Sequence, residues 1–335
     1  MSDDRGELRR LIADVVDGTP IADRSSDELW HTLRGLGLTT VGVDEASGGS
    51  GGDYDDLATV VRTLGIHASG LPVAEAALAA WALSGDRAVD DRSRIAFAMD
   101  GGYEADLSVL RVPGVPWLRN ESGVVVYDSS GSASYVELDA PGVTVHPEVN
   151  LADEPRDVLE IRGAMGVPLE SAPPLAAARA RHALLRAAGI AGAAEGTYRL
   201  TREYVMQREQ FGKPLSRIPA VAASLASMRV ALVQLDAAVE RALDALRGDR
   251  HAGQAGSAAV AAAAVIASET AAICARTAHQ LHGAMGVTQE YPLHHYTKRL
   301  WSWPGEVGSE EHSAEYLGGL ALEHGEATVW NALTS

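Results

Sequence analysis

The stretch Arg208-Glu209-Gln210-Phe211-Gly212-Lys213-Pro214-Leu215-Ser216 closes a long Ala-rich helical pattern with groups that helix packing does not require. An arginine guanidinium is a planar fork that grips a phosphate through two hydrogen bonds, and a phenylalanine ring nearby offers a stacking face. Gly212 with Pro214 breaks the helix, so Arg208 and Phe211 are expected to reach outward. A helix end carrying a surface arginine is the plainer alternative. A second stretch, Gln280-Leu281-His282-Gly283-Ala284-Met285-Gly286, also ends a helix with glycines and leaves backbone N–H groups beside the Gln280 amide. Such donors suit a pyrophosphate or a carbonyl oxygen.

Other conspicuous residues take plainer readings. Cys274 is the single cysteine, so no intrachain disulfide forms and no oxidising compartment is implied. It sits in an apolar helical segment, where a small buried hydrophobe is expected rather than a nucleophile. His294 and His295 precede an aromatic and basic run, but no Cys, Asp or His at ligand spacing joins them, and no metal site is expected. Trp301 and Trp303 read as packing residues. The glycine cluster at 48–52 follows a helix rather than a strand and matches no nucleotide-loop pattern, so it reads as a helix-to-helix connection.

Composition narrows the ligand. A net charge of -17 over 335 residues argues against a nucleic-acid binder, which needs clustered Lys and Arg. An anionic ligand must be held by local basic groups. The polar start, residues 1–10, has no apolar signal core, and the apolar run 258–267 stops at Ser268 and Glu269, short of membrane length. A cytoplasmic protein without a membrane partner is the expectation.

These groups need elements to hold them. Hydrophobic content is 46% but aromatic content only 5%, which suits helices packed closely through Ala, Leu and Val. Helical spacing runs through 7–83, with Leu8, Leu11, Ile12 and Val15 on one face and Leu29, Trp30, Leu33 and Leu36 on the next. Between 94 and 162 the pattern becomes short Val-rich runs at 107–112, 123–127, 133–138, 143–146 and 158–161, separated by Pro and Gly. A small antiparallel barrel or sandwich is expected there. Long helices are expected over 176–207, 218–247 and 257–281, with a shorter one opened by Ser309 and carrying Glu310 and Glu311 in its first turn. The expected fold class is α+β: an N-terminal helical domain over 1–90, a trimmed middle β domain over 91–170, and a C-terminal four-helix bundle over 171–335.

Together the two glycine-terminated motifs, the segments Trp30-His31-Thr32-Leu33-Arg34-Gly35-Leu36-Gly37-Leu38 and Glu45-Ala46-Ser47-Gly48-Gly49, and the helix-β-helix order resemble the acyl-CoA dehydrogenase family over nearly the whole chain. The resemblance implies FAD as cofactor, an acyl-CoA thioester as substrate and an electron-transfer acceptor as partner. It implies a carboxylate that removes the α-proton while the β-hydrogen leaves as hydride. Arg208 is similar to the family's arginine on the FAD pyrophosphate, with Gln210 and Phe211 similar to its neighbours on the adenosine half. Gln280, Leu281, Gly283 and Ala284 resemble the loop beside the same diphosphate. In the family, these elements reach the flavin of a neighbouring chain. Lys298 and Arg299 either meet CoA phosphates or face solvent.

Two family features are missing. Where many members carry the catalytic Glu, this chain reads Trp303-Pro304-Gly305-Glu306, with Pro304 fixing the backbone. Other members carry the base on the first long bundle helix, where the matching residue is His182, an imidazole able in principle to take a proton, with a structural or CoA-facing histidine as the plainer reading. Glu306 and His182 are therefore the candidate bases, and the catalytic residue is left unassigned. In the β segment, Ala96-Phe97-Ala98-Met99-Asp100-Gly101-Gly102 and Pro116-Trp117-Leu118-Arg119 stand where family members place hydroxyl donors for the flavin. The resemblance thus implies a half-site subunit that pairs with a related chain in an α2β2 heterotetramer. Paired bacterial enzymes of this family with bulky substrates, sterol side-chain CoA thioesters among them, have that organisation. An active homotetramer using Glu306, and a flavin monooxygenase or scaffold on the same fold, are the alternatives.

Overall fold

Apolar spacing and charged helix ends account for the first elements. The computed structural model describes residues 2–86, 95–103, 109–163, 166–210, 212–248, 253–306 and 310–334. Helix α1 (Ser2–Asp17) buries Ile12 and Val16, one turn apart. Helix α2 (Asp27–Gly35) buries Leu29, Trp30 and Leu33 and carries Asp27 and Glu28 at its start and Arg34 at its end, matching the helix dipole. Helices α3 (Tyr54–Ile66) and α4 (Val73–Leu83) come after it, the latter buried on almost every side and built largely of Ala.

By packing, the chain forms two compact units, one from 27–57 with 71–182 and the other from 1–26, 58–70 and 183–335. The first holds strands β1 (Ile95–Tyr103), β2 (Val109–Pro116), β3 (Gly123–Asp128), β4 (Ala133–Glu137), β5 (Val143–His146), β6 (Arg156–Arg162) and β7 (Val167–Pro168). They make a 7-stranded sheet in the order β5-β6-β2-β1-β3-β4-β7. Leu110, Val112, Val124, Val126, Val136, Leu159 and Ile161 build one core, with the alternation expected of sheet faces. The β segment was expected to be antiparallel throughout, yet β1 and β3 pair in parallel. Successive strands reverse direction, and β3 returns to the opposite side of β1 from β2, so the two run the same way. β1 was not anticipated as a strand: its Ala and Gly have low strand propensity, and only the register with β2 and β3 brings them into the sheet. The expected strand start at Leu107 lies outside the described residues.

The second unit contains most of α5 (Leu175–Gln207), the short strands β8 (Glu209–Gln210) and β9 (Lys213–Pro214), and helices α6 (Pro219–Gly248), α7 (Gln254–His282), α8 (Leu293–Ser302), α9 (Glu310–His324) and α10 (Glu326–Thr334). The three long helices fall within a few residues of their expected spans. The expected cap Ser309 lies outside the described residues. α8 and α10 were not anticipated. Small residues let backbones touch: a Cβ on Gly192 of α5 would lie 2.0 Å from the Arg62 carbonyl oxygen of α3, and one on Gly65 would lie 2.4 Å from that of Gly189. Although no unbroken apolar run reaches membrane length, α6 and α7 are each long and apolar enough, by length and composition, to cross a membrane. Ala-rich helices packed on one another meet the same description, and α6 and α7 pack together here.

Candidate functional site

α5 stops at Gln207, earlier than Gly212 would require, and the chain then turns through a hairpin rather than a loose break. Arg208 N–H donates to Tyr204 O at 2.8 Å, and Arg208 O accepts from Leu215 N at 2.8 Å. Glu209 pairs with Pro214 and Gln210 with Lys213. Gly212, at φ 74°, supplies the left-handed turn residue. Arg208 and Gln210 are exposed, and among the described residues the Arg208 side chain has no hydrogen-bond or ion-pair partner. Phe211 lies outside the described residues.

The second motif is the C-terminus of α7. Gly283 takes φ 59° and ψ -136°, a conformation that glycine adopts without strain, and its N–H closes the helix on His279 O. A 3₁₀ turn, Gly283–Val287, comes next. Gln280, Gly283 and Ala284 are exposed and Leu281 is half-buried. Gly286 is buried, and a Cβ there would lie 2.9 Å from His282 Cβ, so the turn folds back onto His282.

Three rings tie the two motifs together. Tyr204 of α5 stacks on His282 with centroids 4.4 Å apart, and Tyr291 lies 4.9 Å from His282 on another side. His282 Nδ1 is 2.8 Å from Ala278 O, Nε2 is 3.2 Å from the Tyr291 hydroxyl, and the Tyr204 hydroxyl donates to His282 O at 3.4 Å. Burial holds the His282 pKa below the ordinary histidine value and raises that of Tyr291. These residues were not singled out from sequence; the aromatic residues flanking both motifs were the available signal. Beside them, an open groove of about 760 Å³ is lined by Glu195, Arg199, Arg202, Glu203, Met206 and Arg229 among others. Glu195 receives Arg199 at 2.8 Å and Arg229 at 3.3 Å.

This donor set fits a diphosphate: a guanidinium without a partner among the described residues, an exposed amide, and a glycine whose missing Cβ leaves open space in front of its backbone. The same test goes against the candidate bases. Glu306 Oε2 lies 3.5 Å from Arg186 Nη2 of α5, with the two side chains only 16% and 12% exposed, and the Arg186 guanidinium lies over the Trp303 ring. His182 is 4% exposed, hydrogen-bonded through Nε2 to Glu75 at 3.1 Å and met edge-on by Phe97 at 5.9 Å. Each group has a structural partner, although His182 Nδ1 is buried without a hydrogen-bond partner among the described residues. Nor does Arg119 reach for a ligand: fully buried Asp157 accepts from its Nε at 2.8 Å and from its backbone N–H at 2.7 Å.

Among the remaining candidates, Cys274 is buried, and burial pushes its thiol up to about 12, consistent with a packing role. No group of three metal-binding side chains occurs among the described residues. Arg299 neither faces solvent nor stands open to a phosphate: it is 6% exposed and donates to Ser25 Oγ at 3.1 Å and to His295 O. Trp303 is buried and Trp301 partly exposed.

Residues 175–312 match the family described as acyl-CoA dehydrogenase, C-terminal domain. The chain is 30% identical over 282 residues to acyl-CoA dehydrogenase IpdE2 of Mycobacterium tuberculosis, an alignment covering 83% of this chain and 82% of that one. It is 31% identical over 295 residues to acyl-CoA dehydrogenase FadE34 of the same organism, covering 82% of this chain but only 39% of the length of FadE34. Among solved structures, the ChsE4-ChsE5 complex from Mycobacterium tuberculosis matches with a TM-score of 0.84 at 23% identity, over 95% of this chain and 97% of that chain, which is a likeness of fold.

Proposed function

This chain belongs to the acyl-CoA dehydrogenase family, and from that premise we propose that it is one subunit of an FAD-dependent enzyme that introduces an α,β double bond into an acyl-CoA. In this reading it grips the diphosphate of a flavin seated in a related partner chain, and the partner supplies the catalytic carboxylate. The observation that carries the proposal is a contrast. Arg208 is exposed without a partner among the described residues, and Gln280 and Gly283 are exposed on the turn that the Tyr204–His282 contact joins to its helix, while both candidate bases, Glu306 and His182, have structural partners.

FAD, when bound, would supply a hydride-accepting group for the β-hydrogen. This chain's own residues bind and orient: Arg208 holds a phosphate by charge-assisted hydrogen bonds, Gln280 donates its amide, and Gly283 admits the diphosphate close to the backbone. Gln210, Leu281 and Ala284 lie next to these residues in the chain, and Phe211 keeps the adenosine-side role that the family resemblance implies. Association with another chain is supported by α6, where Ala223, Ala226, Val230, Val233 and Ala237 repeat at alternating three- and four-residue steps and are all exposed, Val230 at 57% and Val233 at 51%. Such a stripe suits a helix from a second subunit. The ChsE4-ChsE5 neighbour is itself a complex of two differently named chains, which supports a related partner chain here; an α2β2 arrangement and a bulky acyl group of the sterol side-chain kind complete the reading. An electron-transfer acceptor would reoxidise the flavin.

The test is to purify the chain alone and with a co-expressed related chain, and to count FAD per chain. The reading expects fewer flavins than chains in the complex and no turnover by this chain alone. Full flavin loading and dehydrogenation by this chain alone would overturn it.

A further inference from the structure

We propose that His282 is the positioning residue of the diphosphate contact, holding the Gln280–Ala284 turn in fixed register with the Arg208 hairpin; this rests on the flavin-gripping role proposed above. The residue is held at four points. The Ala278 carbonyl can only accept, so Nδ1, 2.8 Å away, carries the ring proton. That leaves the Nε2 lone pair to accept from the Tyr291 hydroxyl at 3.2 Å. The His282 carbonyl accepts from the Tyr204 hydroxyl at 3.4 Å, and its ring face lies on Tyr204 at an interplanar angle of 26°.

The residue sits between the exposed groups of both motifs in the chain of contacts. Tyr204 O accepts the backbone N–H of Arg208, so the ring that stacks on His282 belongs to the residue that fixes where the hairpin begins. His282 itself precedes Gly283 and lies two residues beyond Gln280. A rotation of the imidazole would therefore shift both exposed groups of the turn relative to the arginine. Gly286 packs closely against the same residue, since a Cβ there would crowd His282 Cβ. A residue serving only to fill space would need neither of the two hydrogen bonds made by the ring nitrogens.

The arrangement depends on the neutral ring. Protonation would put a hydrogen on Nε2, and Tyr291 would have to turn its own proton elsewhere. The groups facing the imidazole are His279 on α7, Tyr204 on α5 and Tyr291 on the loop after the 3₁₀ turn, with Glu203 acting on Tyr291. Acidification should therefore loosen the register before it unfolds the unit.

The experiment is a double-mutant cycle on FAD affinity, measured by flavin fluorescence on the full chain in complex with its co-expressed partner. His282→Phe keeps a ring and removes both nitrogens; it is expected to weaken FAD binding about tenfold. In an Arg208→Ala background the same change should have almost no further effect, because the register it sets has lost its object. Tyr291→Phe deletes one oxygen and so tests the idea even where His282→Phe folds poorly; it should weaken FAD binding about threefold. Wild-type affinity should fall as pH drops from 8 to 5, with a step that His282→Phe lacks. Equal losses from His282→Phe in both backgrounds, or an unchanged pH profile, would overturn the positioning role while leaving the flavin-gripping reading intact. An unchanged affinity on Arg208→Ala would overturn that reading, and this inference with it.

Discussion

Arg186 and Arg208 lie about six turns apart in sequence along and just beyond α5, and they have opposite surroundings. Arg186 is nearly buried, paired with Glu306 and laid over Trp303. Arg208 is exposed at the root of a hairpin with no partner among the described residues. A nearly buried guanidinium with a carboxylate beside it holds a fold together, and that carboxylate is spent on the pair. An exposed guanidinium without a partner among the described residues is placed for a ligand from outside. The contrast explains why the site is read as one half of a flavin site: the carboxylate that could do chemistry is used structurally, and the cation that could grip a phosphate is not.

The sharpest way to break the comparison is to remove each arginine. Arg186→Ala should destabilise the protein by about 3 kcal/mol, because it leaves Glu306 nearly buried without its counter-ion, and a urea titration would measure the loss. Arg208→Ala should leave that titration unchanged but reduce FAD affinity in the complex by about 1.5–3 kcal/mol. Equal stability losses would erase the distinction. Glu306→Gln should cost about 1 kcal/mol of stability and leave both flavin content and turnover of the complex unaltered. Abolished turnover would instead assign Glu306 as the base.

The smallest expected effect is one of pH. The folded state holds the His282 pKa below the ordinary 6.5 by burial, so the unfolded chain binds this proton more readily. Stability from this group is complete above the unfolded value and is lost as pH falls through that value toward the folded one. Thermal melts between pH 7.5 and 5 should show a shallower decline for His282→Phe than for wild type.

Much of the architecture was legible in the sequence because its signals are local. The Ala-rich helices α5, α6 and α7 announce themselves by period and propensity, and β5 was placed residue for residue by a Val-x-Val run between turns. β1 escaped because Ala, Met and Gly carry no strand signal of their own, and α8 because its segment read as part of a glycine loop. In the site, Arg208 and the 280–284 turn were visible as groups out of keeping with their helices. The Tyr204, His282 and Tyr291 cluster was not, since Tyr204 and His282 stand 78 residues apart and their meeting depends on how two helices end side by side.

The residue types and their order alone determined the family, the α+β class and the chemistry of the candidate phosphate donors, because a guanidinium, an amide and a helix-ending glycine have the same properties wherever they fold. Which groups are available was decided only by the tertiary structure. Availability depends on neighbours: Glu306 met Arg186, His182 met Glu75, Arg299 met Ser25, and Arg208 was left exposed.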